Sequence, residues 1–228
     1  MTPRRRLVVF DVDGTLVDSQ AEIVAAMGHA FVRAGLSVPA RAEILEVVGL
    51  SLEIAVARLA PQAAAELRCA MVAWYKDAYA ARRAAPGAAR AAPLYPHVPQ
   101  VLAQLRARPG TLLGVATGKS RRGLDALWQT HALAGHFATE QVSDRHPSKP
   151  HPAMLEAALA ETGVAPGDAV MVGDTSFDME MAAAAGVPFV GVGWGYHPPR
   201  RLHAAVAVLE DFRALPKVLD ALWGAAAA

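Results

Sequence analysis

The chain of 228 residues is long enough to bury a sizeable core, as one domain or as one domain with a small second one. Its residues are 54% hydrophobic and 19% charged, which is typical of a globular protein and excludes a disordered one. The formal net charge of +1 gives no overall attraction to nucleic acid or to a membrane surface, so we expect neither as a partner. No apolar run approaches the ~20 residues of a membrane span. The single cysteine, Cys69, excludes an intrachain disulfide and favours a cytoplasmic location.

The first predicted element is a buried strand that ends on two aspartates. Leu7 to Phe10 are four apolar residues in a row, a pattern typical of a strand covered on both faces in a parallel sheet. Asp11 and Asp13 follow two positions apart, so their side chains leave the strand end on the same side. Gly14 permits a tight turn directly afterwards. Open α/β sheets bind ligands at the carboxyl ends of their strands, so this pair is a candidate site.

The next segment, from about residue 19 to 85, has only helical patterns. Ser19 to Glu22 is a capping-box sequence that predicts the start of a helix, and Gly35 predicts its end. Two short helices are expected on either side of Gly49, over about 41–48 and 52–60. Pro61 is predicted to be the first residue of a longer helix.

This all-helical segment predicts a cap domain inserted after the first strand. We expect the cap to span residues 18–91 and the catalytic α/β core to comprise 1–17 and 92–228. Closure of the cap would exclude water from the site, with hinges near 16–19 and 86–96.

Beyond the helical segment, strand and helix patterns alternate. Such alternation predicts βαβ units and an α/β fold with a doubly wound parallel sheet. Strands are expected at 111–116, 138–142, 168–173, 188–192 and 205–208. Helices are expected at 98–107, 153–162 and 213–222. A further helix would begin at Ser120, and another would follow Asp174 and end at Gly186.

Polar side chains also follow the later strands, and their chemistry suits phosphoryl transfer. These residues are Thr117 and Gly118, Lys149, and Asp174 with Asp178. A carboxylate that attacks a phosphate dianion needs a cation to screen both charges, and Mg²⁺ with oxygen ligands fulfils that need. Asp11 and Asp174 would supply two carboxylates for the ion, and a backbone carbonyl near Asp13 a third ligand.

The other residues then have natural roles. Lys149 would neutralise charge on the phosphate or the nucleophile, while the Thr117 hydroxyl and the Gly118 N–H would donate to phosphate oxygens. Asp13 is the candidate general acid for the leaving oxygen and afterwards the base for water. Attack by an aspartate would give an aspartyl-phosphate intermediate.

These motifs, in this order, resemble those of the haloacid dehalogenase-like hydrolase superfamily, and within it the phosphoglycolate phosphatase-like group with a helical cap. The four motifs are Phe10-Asp11-Val12-Asp13-Gly14-Thr15-Leu16-Val17-Asp18-Ser19, Val115-Ala116-Thr117-Gly118-Lys119, Ser148-Lys149-Pro150-His151-Pro152 and Val172-Gly173-Asp174-Thr175-Ser176-Phe177-Asp178. The resemblance covers essentially the whole chain.

The resemblance implies that Asp11 is the nucleophile and a metal ligand, and that Asp13 is the acid/base and gives its carbonyl to Mg²⁺. It implies that Asp174 is a metal ligand. Asp178 would contact a metal-bound water or Lys149, and Thr117 would bind phosphate. In relatives the segment matching Val48-Gly49-Leu50-Ser51 reads the substrate. Many relatives have Asn where this chain has Gly118, so a side-chain amide is missing here.

The resulting hypothesis is a Mg²⁺-dependent phosphatase that acts on a small phosphorylated metabolite. The alternatives are a phosphomutase similar to β-phosphoglucomutase, which would pass the phosphoryl group to a sugar, and a non-catalytic phosphate-ligand binding protein. A dehalogenase is disfavoured, because relatives with that activity usually lack the second aspartate, here Asp13. The sequence leaves open the substrate and the choice between monomer and homodimer. It also assigns no role to His97, His146, Trp194 or Tyr196.

Overall fold

The computed structural model describes residues 4–84 and 92–225. Their strands form one sheet of six parallel strands, in the order β3-β2-β1-β4-β5-β6. The predicted α/β class is therefore confirmed. The strands are β1 (Arg6–Phe10), β2 (Thr111–Thr117), β3 (Thr139–Val142), β4 (Ala169–Gly173), β5 (Phe189–Val192) and β6 (Ala207–Leu209).

Helices cover both faces of this sheet, because its central strands are apolar on both sides. In β1, Val8 and Phe10 belong to one hydrophobic cluster, whereas Leu7 and Val9 belong to the cluster on the opposite face. This alternation is the period of two that a strand imposes on its side chains. The helices after the insertion are α5 (Val98–Arg106), α6 (Arg121–His131), α7 (Ala153–Thr162), α8 (Ser176–Ala184) and α9 (Leu215–Ala225).

The segment between β1 and β2 is helical, with a hydrophobic cluster of its own. Its helices are α1 (Gln20–Arg33), α2 (Arg41–Glu46), α3 (Leu52–Leu59) and α4 (Ala65–Ala84). Ile23, Met27, Ile44 and Met71 are buried together among them. We propose that this insertion is the cap. Part of the expected second hinge, residues 86–91, lies outside the described residues.

The chain enters and leaves the insertion through two adjacent backbone segments. The Asp18 N–H donates to the Pro93 carbonyl (2.9 Å), and the Tyr95 N–H donates to the Leu16 carbonyl (2.9 Å). Val17 and Leu94 form an isolated antiparallel bridge between them. The two connections are thus paired at the point where the cap boundary is proposed.

The helix predicted to start at Ser19 does begin there, at Gln20, but its capping box does not form, and the predicted position of Pro61 is wrong. The Ser19 side chain makes no capping bond to α1, because its hydroxyl donates instead to the Asp13 carboxylate. Glu22, the other residue of the predicted capping box, pairs with Arg82 of α4. Pro61 lies in a turn in which the Ala63 N–H donates to the Ala60 carbonyl (3.1 Å), and α4 begins only at Ala65. Pro61 occupies the second position of that turn, which its fixed φ angle favours.

Among the described residues, no helix combines the length and the apolar character that crossing a bilayer requires. Cys69 lies on α4 and is exposed.

Candidate active site

The sheet order brings the predicted residues of three strands to one edge. Strand β1 lies between β2 and β4, so their carboxyl ends are neighbours. Asp11 follows β1, Thr117 ends β2, and Asp174 follows β4. The Asp11 N–H extends the ladder by donating to the Val172 carbonyl of β4 (2.9 Å).

Three buried carboxylates and one buried ammonium group form the centre of the site. Oxygen atoms of Asp11, Asp174 and Asp178 lie within 4.8 Å of one another. The Lys149 Nζ is 3.0 Å from an Asp11 oxygen and 2.7 Å from an Asp178 oxygen. With all four groups ionised, three negative charges and one positive charge leave two negative charges uncompensated.

The properties of this cluster fit a divalent cation. The second carboxylate oxygen of Asp11 is buried and has no hydrogen-bond partner among the described residues. Burial, reinforced by the neighbouring carboxylates, raises the pKa of Asp11 to about 7 and holds the pKa of Asp174 well above its ordinary value. A cation with oxygen ligands would supply the missing positive charge and a partner for the free oxygen.

The two carboxylates after β4 are held by contacts that the sequence did not predict. Asp174 accepts hydrogen bonds from the Thr15 hydroxyl (2.9 Å) and from the Tyr196 N–H (2.8 Å). Gly14 and Gly195 pack so closely against Asp174 that a Cβ atom at either position would overlap its side chain. Asp174 is thus enclosed by backbone from two loops.

Asp178 is fixed by the start of its own helix. Its carboxylate accepts from the Thr175 N–H (3.0 Å), while the Thr175 side chain accepts from the Asp178 N–H (3.3 Å). This reciprocal arrangement is a capping box at the start of α8. One carboxylate therefore caps the helix and also pairs with Lys149.

Asp13 lies in a separate polar cluster at the same edge. Its carboxylate is 2.8 Å from the Lys119 Nζ and accepts a hydrogen bond from the Ser19 hydroxyl. Lys119 also donates to the Tyr79 hydroxyl of α4 (3.2 Å). The sequence analysis gave Lys119 no role, because only the tertiary fold brings it to Asp13. Its position directly after Thr117-Gly118 was the one signal that could have indicated a place in the site.

Thr117 and Gly118 lie beneath the insertion. Thr117 is buried, and its hydroxyl accepts from the Lys119 N–H (3.2 Å). A Cβ atom on Gly118 would lie 2.5 Å from the Leu50 carbonyl oxygen and 2.8 Å from that of Gly49. The asparagine of many relatives would not fit here in this arrangement, which gives a physical reason for the glycine.

The histidine and aromatic residues left without a role have mainly structural contacts. The Trp194 indole donates to the Thr15 carbonyl (3.3 Å), and the Tyr196 hydroxyl accepts from the Ser19 N–H (3.1 Å). His146 lies 2.8 Å from the Gln141 side-chain oxygen. His97 is the residue before α5 and has a left-handed backbone. None of these four side chains is among the residues that line the cavity at the site.

That cavity has a volume of about 160 Å³ and lies between the strand ends and the insertion. Asp11, Asp13, Thr117 and Gly118 line it on the sheet side, and residues from the insertion line it on the other. A substrate bound there would thus contact both parts of the molecule.

The class that these features define is an α/β protein with a doubly wound sheet and a polar site at the carboxyl ends of β1, β2 and β4. The family model for haloacid dehalogenase-like hydrolases matches residues 8–192. The chain therefore belongs to the haloacid dehalogenase-like hydrolase family, and the resemblance inferred from its four motifs is confirmed.

Individual relatives agree with this assignment. The chain is 36% identical over 204 residues to the probable phosphatase IndB of Dickeya dadantii, covering 87% of this chain and 86% of that one. It is 32% identical over 196 residues to the phosphoglycolate phosphatase of Yersinia pseudotuberculosis, covering 84% and 82%. A crystal structure of a hydrolase from Pseudomonas syringae has the same fold, with a TM-score of 0.83 at 22% identity over 96% of this chain and 99% of that one.

Proposed function

We propose that the protein is a Mg²⁺-dependent phosphatase that hydrolyses a small phosphate monoester through an aspartyl-phosphate. The observation that carries the proposal is the buried Asp11 oxygen that has no hydrogen-bond partner among the described residues. It belongs to a cluster that carries two net negative charges when fully ionised, and Asp11 itself lines the cavity. The names of the phosphatase relatives support the same reaction class.

The roles that the resemblance implies are compatible with these contacts. Asp11, Asp174 and the Asp13 carbonyl would hold the ion, and Mg²⁺ would screen the charges of the phosphate and the attacking carboxylate. Lys149, 3.0 Å from Asp11, would orient the nucleophile and neutralise charge as it attacks. Asp178 would keep Lys149 in place from its other side.

Asp13 would transfer the proton. Its carboxylate lines the cavity, and Lys119 and Ser19 fix its position. It would protonate the leaving oxygen and then take a proton from the water that cleaves the aspartyl-phosphate. Thr117 and the Gly118 N–H would bind phosphate oxygens beneath the cap.

A panel of small phosphate monoesters tests this proposal. We expect phosphate release that requires Mg²⁺, stops with EDTA and falls roughly a thousandfold or more in Asp11→Asn. Asp168→Asn is the control, since Asp168 precedes β4 at the opposite edge and pairs with Arg4. Full activity in folded Asp11→Asn would refute the nucleophile assignment. An isomerised sugar phosphate instead of free phosphate would identify a phosphomutase.

A further inference from the structure

We propose that the substrate is a phosphate ester of a predominantly apolar alcohol, with a leaving group no larger than about one six-membered ring. The inference rests on the proposed phosphatase function and concerns the part of the cavity that would receive the alcohol.

The first observation is the apolar wall that the insertion presents to the cavity. Five of its side chains are buried in the protein and contribute no charge or hydrogen-bonding group: Ile23, Met27, Ile44, Val47 and Leu50. Leu52, which is half-buried, extends this apolar surface. Apolar surface on a leaving group would be removed from water against this wall, which favours binding. A polyol would lose its hydration there without gaining partners.

The second observation is that the buried cation that lines the cavity already has a partner. Lys119 pairs with Asp13 at 2.8 Å, whereas Lys76 is exposed and pairs with the exposed Glu53 at 3.2 Å. Lys149 lies between two carboxylates behind Asp11. A carboxylate on the leaving group would be desolvated without a free cation beside it, which is costly.

The remaining arginines of the cavity lie at its mouth. Arg83 and Arg122 line both this cavity and a separate groove on the outside of the protein. Arg122 is exposed, so solvent screens its charge. Arg83 is half-buried and its guanidinium donates to the Gly123 carbonyl (3.4 Å), so both arginines lie on the side of the cavity that faces the outer groove.

The two tyrosines of the wall are neutral. Burial raises the pKa of the Tyr75 and Tyr79 phenols above their ordinary value, so both carry their protons at neutral pH. The rings are stacked with centroids 5.8 Å apart. The Tyr75 hydroxyl makes no hydrogen bond among the described residues and offers a single polar contact to an otherwise apolar ligand.

The size of the cavity sets the size of the leaving group. Its volume of about 160 Å³ is close to the roughly 150 Å³ of an apolar protein cavity that binds benzene. Since part of the space must hold the phosphate, the alcohol has room for at most one ring or a short branched chain.

Three phosphate esters with alkyl leaving oxygens test the inference: benzyl phosphate, glycerol 3-phosphate and 2-phosphoglycolate. We expect kcat/KM for benzyl phosphate to exceed both others by about tenfold or more. Leu52→Asn should lower the ratio of benzyl to glycerol phosphate turnover severalfold, because Leu52 lines the cavity. Leu59→Asn is the matched control: it is a half-buried leucine of the same helix that does not line the cavity, and should leave the ratio unchanged.

Preferred hydrolysis of 2-phosphoglycolate or glycerol 3-phosphate would overturn this inference and leave the phosphatase proposal standing. Equal ratios in the Leu52 and Leu59 variants would overturn it as well. Absence of phosphate release from every ester, with Mg²⁺ present, would instead refute the proposed function itself.

Discussion

Asp11 is buried, has a close ammonium partner, and has a second carboxylate oxygen that no described residue hydrogen-bonds. Burial raises its pKa to about 7, with the charges of Asp178 and Asp13 adding to the effect and Lys149 opposing it. In the unfolded chain an aspartate has a pKa of about 3.9. Between these two values the folded protein holds a proton that the unfolded chain releases, so the stability of the metal-free protein falls as the pH rises.

This difference gives a test at the residue scale. We expect the melting temperature of the EDTA-treated protein to fall between pH 5 and pH 8, and Asp11→Asn to reduce that fall. Mg²⁺ should raise the melting temperature more at pH 8, where the carboxylates are ionised, than at pH 5. Thermal unfolding at the two pH values, with and without Mg²⁺, measures both effects. Equal or greater stabilisation by Mg²⁺ at pH 5 would contradict this picture of the cluster.

At the scale of elements, the strands and the site motifs could be predicted because they depend on local sequence. Apolar runs such as Leu7–Phe10 mark strands buried on both faces, and parallel pairing then places their carboxyl ends together. The partners of Ser19 and Lys119 could not be predicted in this way. Both contact Asp13, and a contact of this kind depends on how the connection and β2 are placed in three dimensions.

The contact between the end of β2 and the insertion gives a second test. In Gly118→Ala, the new Cβ would lie 2.5 Å from the Leu50 carbonyl oxygen, so the segment at Gly49-Leu50 must move away. We expect kcat/KM to fall about tenfold or more, because small displacements around reacting groups are costly. Steady-state kinetics measure the loss, and circular dichroism verifies the fold.

Gly167→Ala is the control, since no atom lies within 4 Å of the position where its Cβ would be built. Unchanged kinetics in Gly118→Ala would show that the insertion does not need to approach β2 this closely during turnover.

At the scale of the whole molecule, the insertion is joined to the sheet by several polar contacts. The His197 Nε2 donates to the Glu46 carbonyl (3.1 Å), and its Nδ1 accepts from the Ser176 N–H (3.1 Å). The Ser51 N–H donates to the Ser148 hydroxyl (2.8 Å). An apolar cluster of Val47, Leu50, Ala55 and Phe177 lies beside them. These contacts hold the proposed cap against the site.

Removal of His197 tests that arrangement. We expect His197→Ala to increase amide hydrogen exchange in α2, because the Glu46 carbonyl loses its partner, while exchange in α7 stays unchanged. We also expect KM to rise severalfold. His203→Ala, at an exposed position, is the control. Equal protection of α2 in both variants would show that His197 does not fix the insertion.

The central claim is that Asp11 carries the phosphoryl group during turnover. Acid quenching during turnover with Mg²⁺, followed by digestion and mass spectrometry, measures this directly. We expect the mass of one phosphoryl group on the peptide that contains Asp11, lost on treatment with hydroxylamine and absent in Asp11→Asn. Rapid phosphate release with no phosphorylated Asp11 under any quench, or with the phosphoryl group on another residue, would contradict the account.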